Sequence, residues 1–397
     1  MFLAGYLGLI LAGSGPSTRA AVAPAQPPAE PWCGSNNGSD LPYLWQDLWL
    51  EMEALEAFSQ VDAWTNAPSR VNQLLNKFGL VQRGSTRQGR EAMERLRDSY
   101  RSLVKLRPRL VEAASKQDLP SYTQAVAQVH QTLRQLEAAY PSGSLQLNPG
   151  SLDLSALLPG RPTLSLEVLP SSRLKAGQPA EVKIRIKDLK GAGVGSLDLL
   201  ELHTRRLHLF AIDPGLQDYH HEHPITSGRP GEFSVYFTPR QPGEYRVWLD
   251  ATPIATGRNE ILRARIEGSI TPPAKPILDA QLQAVHEGWR YELTLNPPAP
   301  HPGQVVEARL KVTDARGRPC LVLEPWMGAF AHVIGFHAAG ESMLHVHAHG
   351  DPPHELMRGG PVVPFRFVLP QAGHWTLFIQ TQLDGNVITA RFAFKTA

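Results

Sequence analysis

Eight side chains of the kinds that hold soft or borderline metal ions stand in one register in two parts of this chain. His208 is followed thirteen residues later by His221 and fifteen later by His223, and His332 is followed at the same intervals by His345 and His347. Five residues ahead of the leading histidine stands His203 in the first copy and Met327 in the second. A His-x-His pair on an extended strand turns both rings to one face, roughly 7 Å apart at the backbone, so this spacing favours chelation. Each copy offers a four-ligand site for an ion.

The donors narrow the choice of ion. Neutral imidazole serves zinc, copper and nickel alike, whereas the thioether of Met327 is a soft ligand that copper(I) recruits readily and zinc rarely does. Copper therefore leads for the second copy, and the four imidazoles of the first suit copper(II) or zinc. A carrier or sequestering protein is the natural role for such sites. It would bind the ion and hand it by ligand exchange, at a partly exposed edge, to another exported or membrane copper-handling protein. A blue-copper electron-transfer centre is excluded, because it needs a Cys thiolate and neither Cys33 nor Cys320 falls in the register.

Two other classes stay open. A metal-dependent enzyme needs a general acid or base at the site; Glu222 beside His223 is a candidate, but Val346 stands at the equivalent place in the second copy. A non-catalytic scaffold or adhesion protein would keep the histidines for turn hydrogen bonds alone. Against it, three histidines persist at fixed spacing while the residues between them have diverged, and packing roles usually accept Leu, Phe or Tyr. His349, His354 and Asp351 lengthen the second loop and read as a solvated polar stretch first, with a looser exposed site as the alternative. His130 reads as an ordinary helical residue, since no C-x-x-C-H motif exists in the chain.

The elements that must position these ligands are themselves duplicated. Residues 177–188 (GQPAEVKIRIKD) match 303–314 (GQVVEARLKVTD) without a gap, and both alternate as half-buried strands do. Residues 237–248 (FTPRQPGEYRVW) answer 367–378 (FVLPQAGHWTLF), with Gly243 and Gly373 at the turns. A period of roughly 125 residues is too long for a solenoid unit and fits tandem domains. Short alternating segments, Pro-Gly, Ala-Gly and Asp-Gly turns and a length of about 110 residues predict two immunoglobulin-like antiparallel β-sandwiches, over 160–270 and 277–397.

Within these repeats, LHLFAIDPGLQDYHHEHP (207–224) and AHVIGFHAAGESMLHVHAHG (331–350) resemble the signature of small exported immunoglobulin-like domains of the FixH and YtkA-like group, and loosely the CopC-type copper carriers. The likeness covers both repeats and leaves the preceding region aside. It implies the sandwich fold and copper-related work, and carries over to His208, His221, His223, His332, His345 and His347, less firmly to His203 and Met327.

Upstream, the periodicity changes. Apolar residues at helical spacing in 44–59 (Leu44, Trp45, Leu48, Met52, Leu55, Phe58), 71–80, 90–106 and 121–140 predict a bundle of about four helices over 43–141, closed by Pro141, whose work is docking or packing. Residues 26–42 are a linker. The apolar run FLAGYLGLILA before small residues, with Ala23-Pro24-Ala25 as the best cleavage point, has the shape of a signal peptide over 1–25, although the first cationic residue is Arg19. A periplasmic or secreted protein follows, without a transmembrane segment. Cys33 and Cys320 allow one disulfide or two unrelated thiols. A net charge of +2 over 397 residues, with acids and bases interspersed, excludes nucleic acid as an expected partner.

Overall fold

The computed structural model describes residues 41–58, 67–85, 90–140, 144–145, 162–170, 173–269, 275–348, 353 and 355–397. The expected leader, the linker up to residue 40, Cys33, His349, Asp351 and His354 lie outside them.

Four helices come first: α1 (Leu41–Ala57), α2 (Ala67–Gly84), α3 (Arg90–Ser115) and α4 (Leu119–Glu137). Their apolar stripes meet in one core that includes Trp45, Met52, Phe58, Phe78, Leu110, Tyr122 and Leu133. The sequence reading stops α3 at residue 106, yet the helix runs on through Pro108. A proline inside a helix costs about 3 kcal/mol or more. Burial of Leu110, Ala113 and Ala114 beyond the expected end offsets that cost. Asp118 caps α4 by accepting from the Ser121 amide. His130 sits against Trp49, edge to face at 5.2 Å, which fits its reading as a packing residue.

Sixteen strands follow among the described residues, in four antiparallel four-stranded sheets. In the first repeat β1 (Leu164–Val168), β2 (Ala180–Asp188), β6 (Glu232–Phe237) and β5 (Ile225–Thr226) form one sheet in the order β1-β2-β6-β5. The other, β4-β3-β7-β8, joins β4 (Tyr219–Glu222), β3 (Leu207–Ile212), β7 (Tyr245–Ala251) and β8 (Glu260–Ile266). The second repeat has the same plan except at the edge of its first sheet, where the fourth strand joins beside the equivalent of β1 and not beside that of β6. Its sheets are β14-β11-β10-β9, from β9 (Gln283–His286), β10 (Trp289–Asn296), β11 (Val305–Asp314) and β14 (Val362–Val368), and β13-β12-β15-β16, from β12 (His332–His337), β13 (Met343–His347), β15 (His374–Leu383) and β16 (Asn386–Lys395). Within each repeat the two sheets share one apolar core.

The period of two then decides what lies between the repeats. On β3, Leu207, Leu209 and Ala211 enter the core of their own unit, so Phe210 and Ile212 face outward. On β12, Val333 turns inward while Ile334 and Phe336 face outward. These outward residues do not meet solvent. They join Leu216, Tyr219, Trp248, Met343 and Phe378 in a separate cluster that packs the first unit against the second. Tyr219 stacks on Phe378 at 4.7 Å and Trp248 meets Phe336 at 5.0 Å. The helices also lean on the second unit: Arg70 donates to the Gly360 carbonyl at 3.0 Å, and Arg309 pairs with Glu53 at 2.7 Å.

Candidate metal centre

The leading histidines sit on the strands that carry this interface. His208 shares the outward face of β3 with Phe210 and Ile212, and His332 that of β12 with Ile334 and Phe336; they are 3% and 0% exposed. The expected partly exposed edge is therefore corrected for these two rings, which the packing of one unit on the other seals from solvent. His221, His223, His345 and His347 are half-buried.

Strand pairing is the same in both copies. Leu209 faces Glu222 and Phe210 faces His221, as Val333 faces Val346 and Ile334 faces His345. Hence each His-x-His pair lies beside its own leading histidine. Ligand atoms of His208, His221 and His223 lie within 4.8 Å of one another, and so do those of His332, His345 and His347. Alternation along β4 puts Glu222 on the opposite side from His221 and His223, beside His220, so it does not serve as a base at this site.

The second nitrogen of each ring fixes which one is free. His208 Nε2 donates to the Leu202 carbonyl at 3.2 Å, and His332 Nε2 donates to the Trp326 carbonyl at 2.8 Å. His345 Nδ1 donates to Asp250 Oδ2 at 2.7 Å, and His221 Nδ1 donates to Gln380 Oε1 at 2.8 Å. Carbonyl and carboxylate oxygens only accept, so in the neutral rings His208 Nδ1, His221 Nε2, His332 Nδ1 and His345 Nε2 carry lone pairs. His208 Nδ1 and His221 Nε2 approach to 3.2 Å. Two lone pairs at that distance repel unless a proton or cation lies between them, and donors each about 2 Å from one ion stand about 3.3 Å apart. His223 Nε2, His332 Nδ1, His345 Nε2 and His347 Nε2 are buried with no hydrogen-bond partner among the described residues. Each is a lone-pair nitrogen or a donor left unsatisfied at a cost of about 1–3 kcal/mol.

Burial also keeps the rings neutral. Desolvation, with neighbouring histidines adding to it, pushes His203 and His223 down to about 4. It carries His221, His332, His345 and His347 well below the usual imidazole value. Asp250 is raised by burial, opposed by the nearby His208 and by a hydrogen bond from Asn259.

His203 and Met327 take equivalent places at two-residue turns with positive φ at both central residues, 51° and 65° at His203-Thr204 and 49° and 75° at Met327-Gly328. His203 does not complete the first triad. Its ring stacks on His347 of the other repeat at 3.5 Å and bonds to the backbone of Met327. The two turns thus lie side by side across the interface.

Sequence reasoning missed this crossing, and with it Asp250 and Gln380. Both pair with a leading histidine, His208 with Asp250 and His332 with Gln380, and each reaches the His-x-His pair of the other unit. A signal existed: WLDA and FIQT place an acidic or amide side chain, Asp250 or Gln380, at the same point of the equivalent strands in both repeats, directly after two apolar residues.

Four helices, and two similar pairs of antiparallel sheets with paired histidine triads between them, define the class. The model of a family described as "Domain of unknown function (DUF8832)" matches residues 163–263 and 283–397, and the chain belongs to that family. Comparison with curated proteins finds no match. Among solved structures, the Lin-41 filamin domain shares 15% identity, covering 26% of this chain and 96% of its own, with a TM-score of 0.16. The D00-D0 domain of intimin shares 10%, covering 58% and 98%, with a TM-score of 0.15. The Parabacteroides merdae β-glucuronidase shares 10%, covering 60% and 24%, with a TM-score of 0.17. At such scores none of the three bears on function.

Proposed function

We propose that this chain is an exported copper-binding protein, a carrier or store, which holds the ion at a histidine triad in each of two tandem immunoglobulin-like sandwiches that follow a helical bundle. One observation carries the reading: the six imidazoles converge in two triads, and four of them, His208, His221, His332 and His345, have one nitrogen anchored to an oxygen acceptor so that the lone pair of the other faces the triad. That is how ligating histidines are held, with a carbonyl or carboxylate setting ring orientation and raising basicity. A packing histidine would satisfy one nitrogen in the same way but would not leave the other buried without a partner among the described residues, as His332 and His345 do. The resemblance to exported FixH and YtkA-like domains belongs to the same proposal.

Copper is preferred to zinc because the second register carries the soft thioether of Met327, on the turn whose Trp326 carbonyl accepts from His332, and zinc remains the competitor at the first. Among the described residues no helix is long and apolar enough to cross a membrane. Burial of the leading histidines favours retention over rapid exchange, and hand-over would run through the less buried His223 and His347.

Competitive titration of the untagged full chain with copper(I) and with zinc, beside its Met327→Ala variant, tests this reading. Copper(I) should bind more tightly than zinc, and the variant should lose copper(I) affinity while keeping that for zinc. Unchanged copper(I) affinity would make Met327 a packing residue, and absence of binding by either ion would leave the scaffold class.

A further inference from the structure

We propose that the two triads are halves of one dinuclear centre shared by the two units, in which each unit positions a ligand for the other's ion. This rests on the metal-binding reading and adds to it the nuclearity of the centre and the coupling between its halves. Rings of different triads are as close as rings of the same one. His208 lies 5.4 Å from His345, and His221 lies 6.2 Å from His332 and 6.3 Å from His345, centre to centre. Within the triads the separations run from 4.4 Å for His345 and His347 to 6.3 Å for His332 and His345. No polypeptide layer separates the triads. Trp326 packs against both His221 and His332, at 5.6 and 5.0 Å, and covers the two together.

The anchoring is reciprocal. Asp250 stands beside His208 in the sheet of the first unit, yet its carboxylate holds Nδ1 of His345 in the second. Gln380 stands beside His332 in the second unit, yet its amide oxygen holds Nδ1 of His221 in the first. Tyr219 and Thr389 fix that amide from both ends, at 3.4 and 3.3 Å. Filling one triad therefore orders the interface from which the other triad is aimed, and the two ions bind with positive coupling. Charge constrains which ions fit. Six neutral imidazoles add no negative charge and Asp250 adds one, so two copper(I) ions repel less here than two divalent ions, which need a bridging anion such as hydroxide.

Two measurements on the full chain test the pairing, with copper alone as the probe. Anaerobic copper(I) titration should give two equivalents per chain with positive cooperativity. The copper(II)-loaded protein should give the signature of a close spin pair, either a dipole-coupled electron paramagnetic resonance spectrum with a half-field transition or, where a hydroxide bridge couples the spins, loss of the signal at two bound equivalents. Two equivalents with two isolated spectra would overturn the dinuclear centre and leave metal binding standing, as would one equivalent in all. No bound copper would remove both. Asp250→Ala, though in the first unit, should weaken the ion at the second triad by about 10- to 100-fold, with Asp250→Asn restoring most of it because an amide oxygen still accepts from His345. Gln380→Ala should do the same to the first triad. Loss confined to the mutated unit's own triad in both variants would contradict the crossing.

Discussion

At the scale of single residues, four of the six triad imidazoles have one nitrogen anchored to an oxygen, and four, His223, His332, His345 and His347, bury a nitrogen that has no partner among the described residues. A buried unsatisfied polar atom costs about 1–3 kcal/mol, so this arrangement opposes folding of the metal-free chain. His347→Phe, which keeps a ring to stack on His203, should leave metal-free stability equal or higher by denaturant unfolding and should abolish binding at the second triad. A loss of stability with copper binding intact would mark His347 as a packing residue. Protonation gives a second prediction. The folded rings are held below the ordinary value of 6.5, His203 and His223 at about 4. As pH falls from about 6.5 toward 4 the unfolded chain gains protons that the folded chain refuses, so metal-free stability drops across that window. Over the same range copper affinity of the folded protein should fall little, because its ligands are still neutral. Unfolding curves near pH 7.5 and pH 5, with copper titrations alongside, check both signs, and metal-free stability that rose toward pH 5 would contradict the burial of these rings.

At the scale of elements, the device is a strand buried on both faces. LHLFAI on β3 and HVIGFH on β12 are buried at every position because alternate residues enter two different cores. Phe336→Ala should destabilise the protein by about 3–5 kcal/mol and lower copper affinity too, since the cavity lies on the strand that carries His332. A stability change below about 1 kcal/mol would mean that the interface is loosely packed. Much of this was legible in the sequence. The helical spacing of Leu44 to Phe58, the matched strands at 177–188 and 303–314 and the histidine register are local patterns that need no knowledge of the partner element. The end of α3 was not legible, because Pro108 gives a stop signal that only tertiary burial overrides. The packing of the outward faces of β3 and β12 in one cluster between the repeats was not legible either. A continuous apolar run says that both faces are covered but not by what, and so His203 was assigned to its own copy when its ring crosses to His347.

At the scale of the whole molecule, the chain has two similar units that pack through the outer faces of equivalent sheets, and the candidate ligands lie where the two faces meet. An ion bound there draws on both units, so the interface and the site stand or fall together. The helices brace the second unit through Arg70 and Glu53, on elements that carry none of the eight candidate ligands. The central claim is that the triads hold copper, and the most direct test is X-ray absorption at the copper edge on untagged full-length protein, loaded and then desalted. The account predicts two retained coppers per chain, with about three nitrogen scatterers each at about 2 Å, and their loss when His208 and His332 are both changed to Phe. Copper-free protein after desalting, or an unchanged nitrogen shell in the double variant, would contradict it.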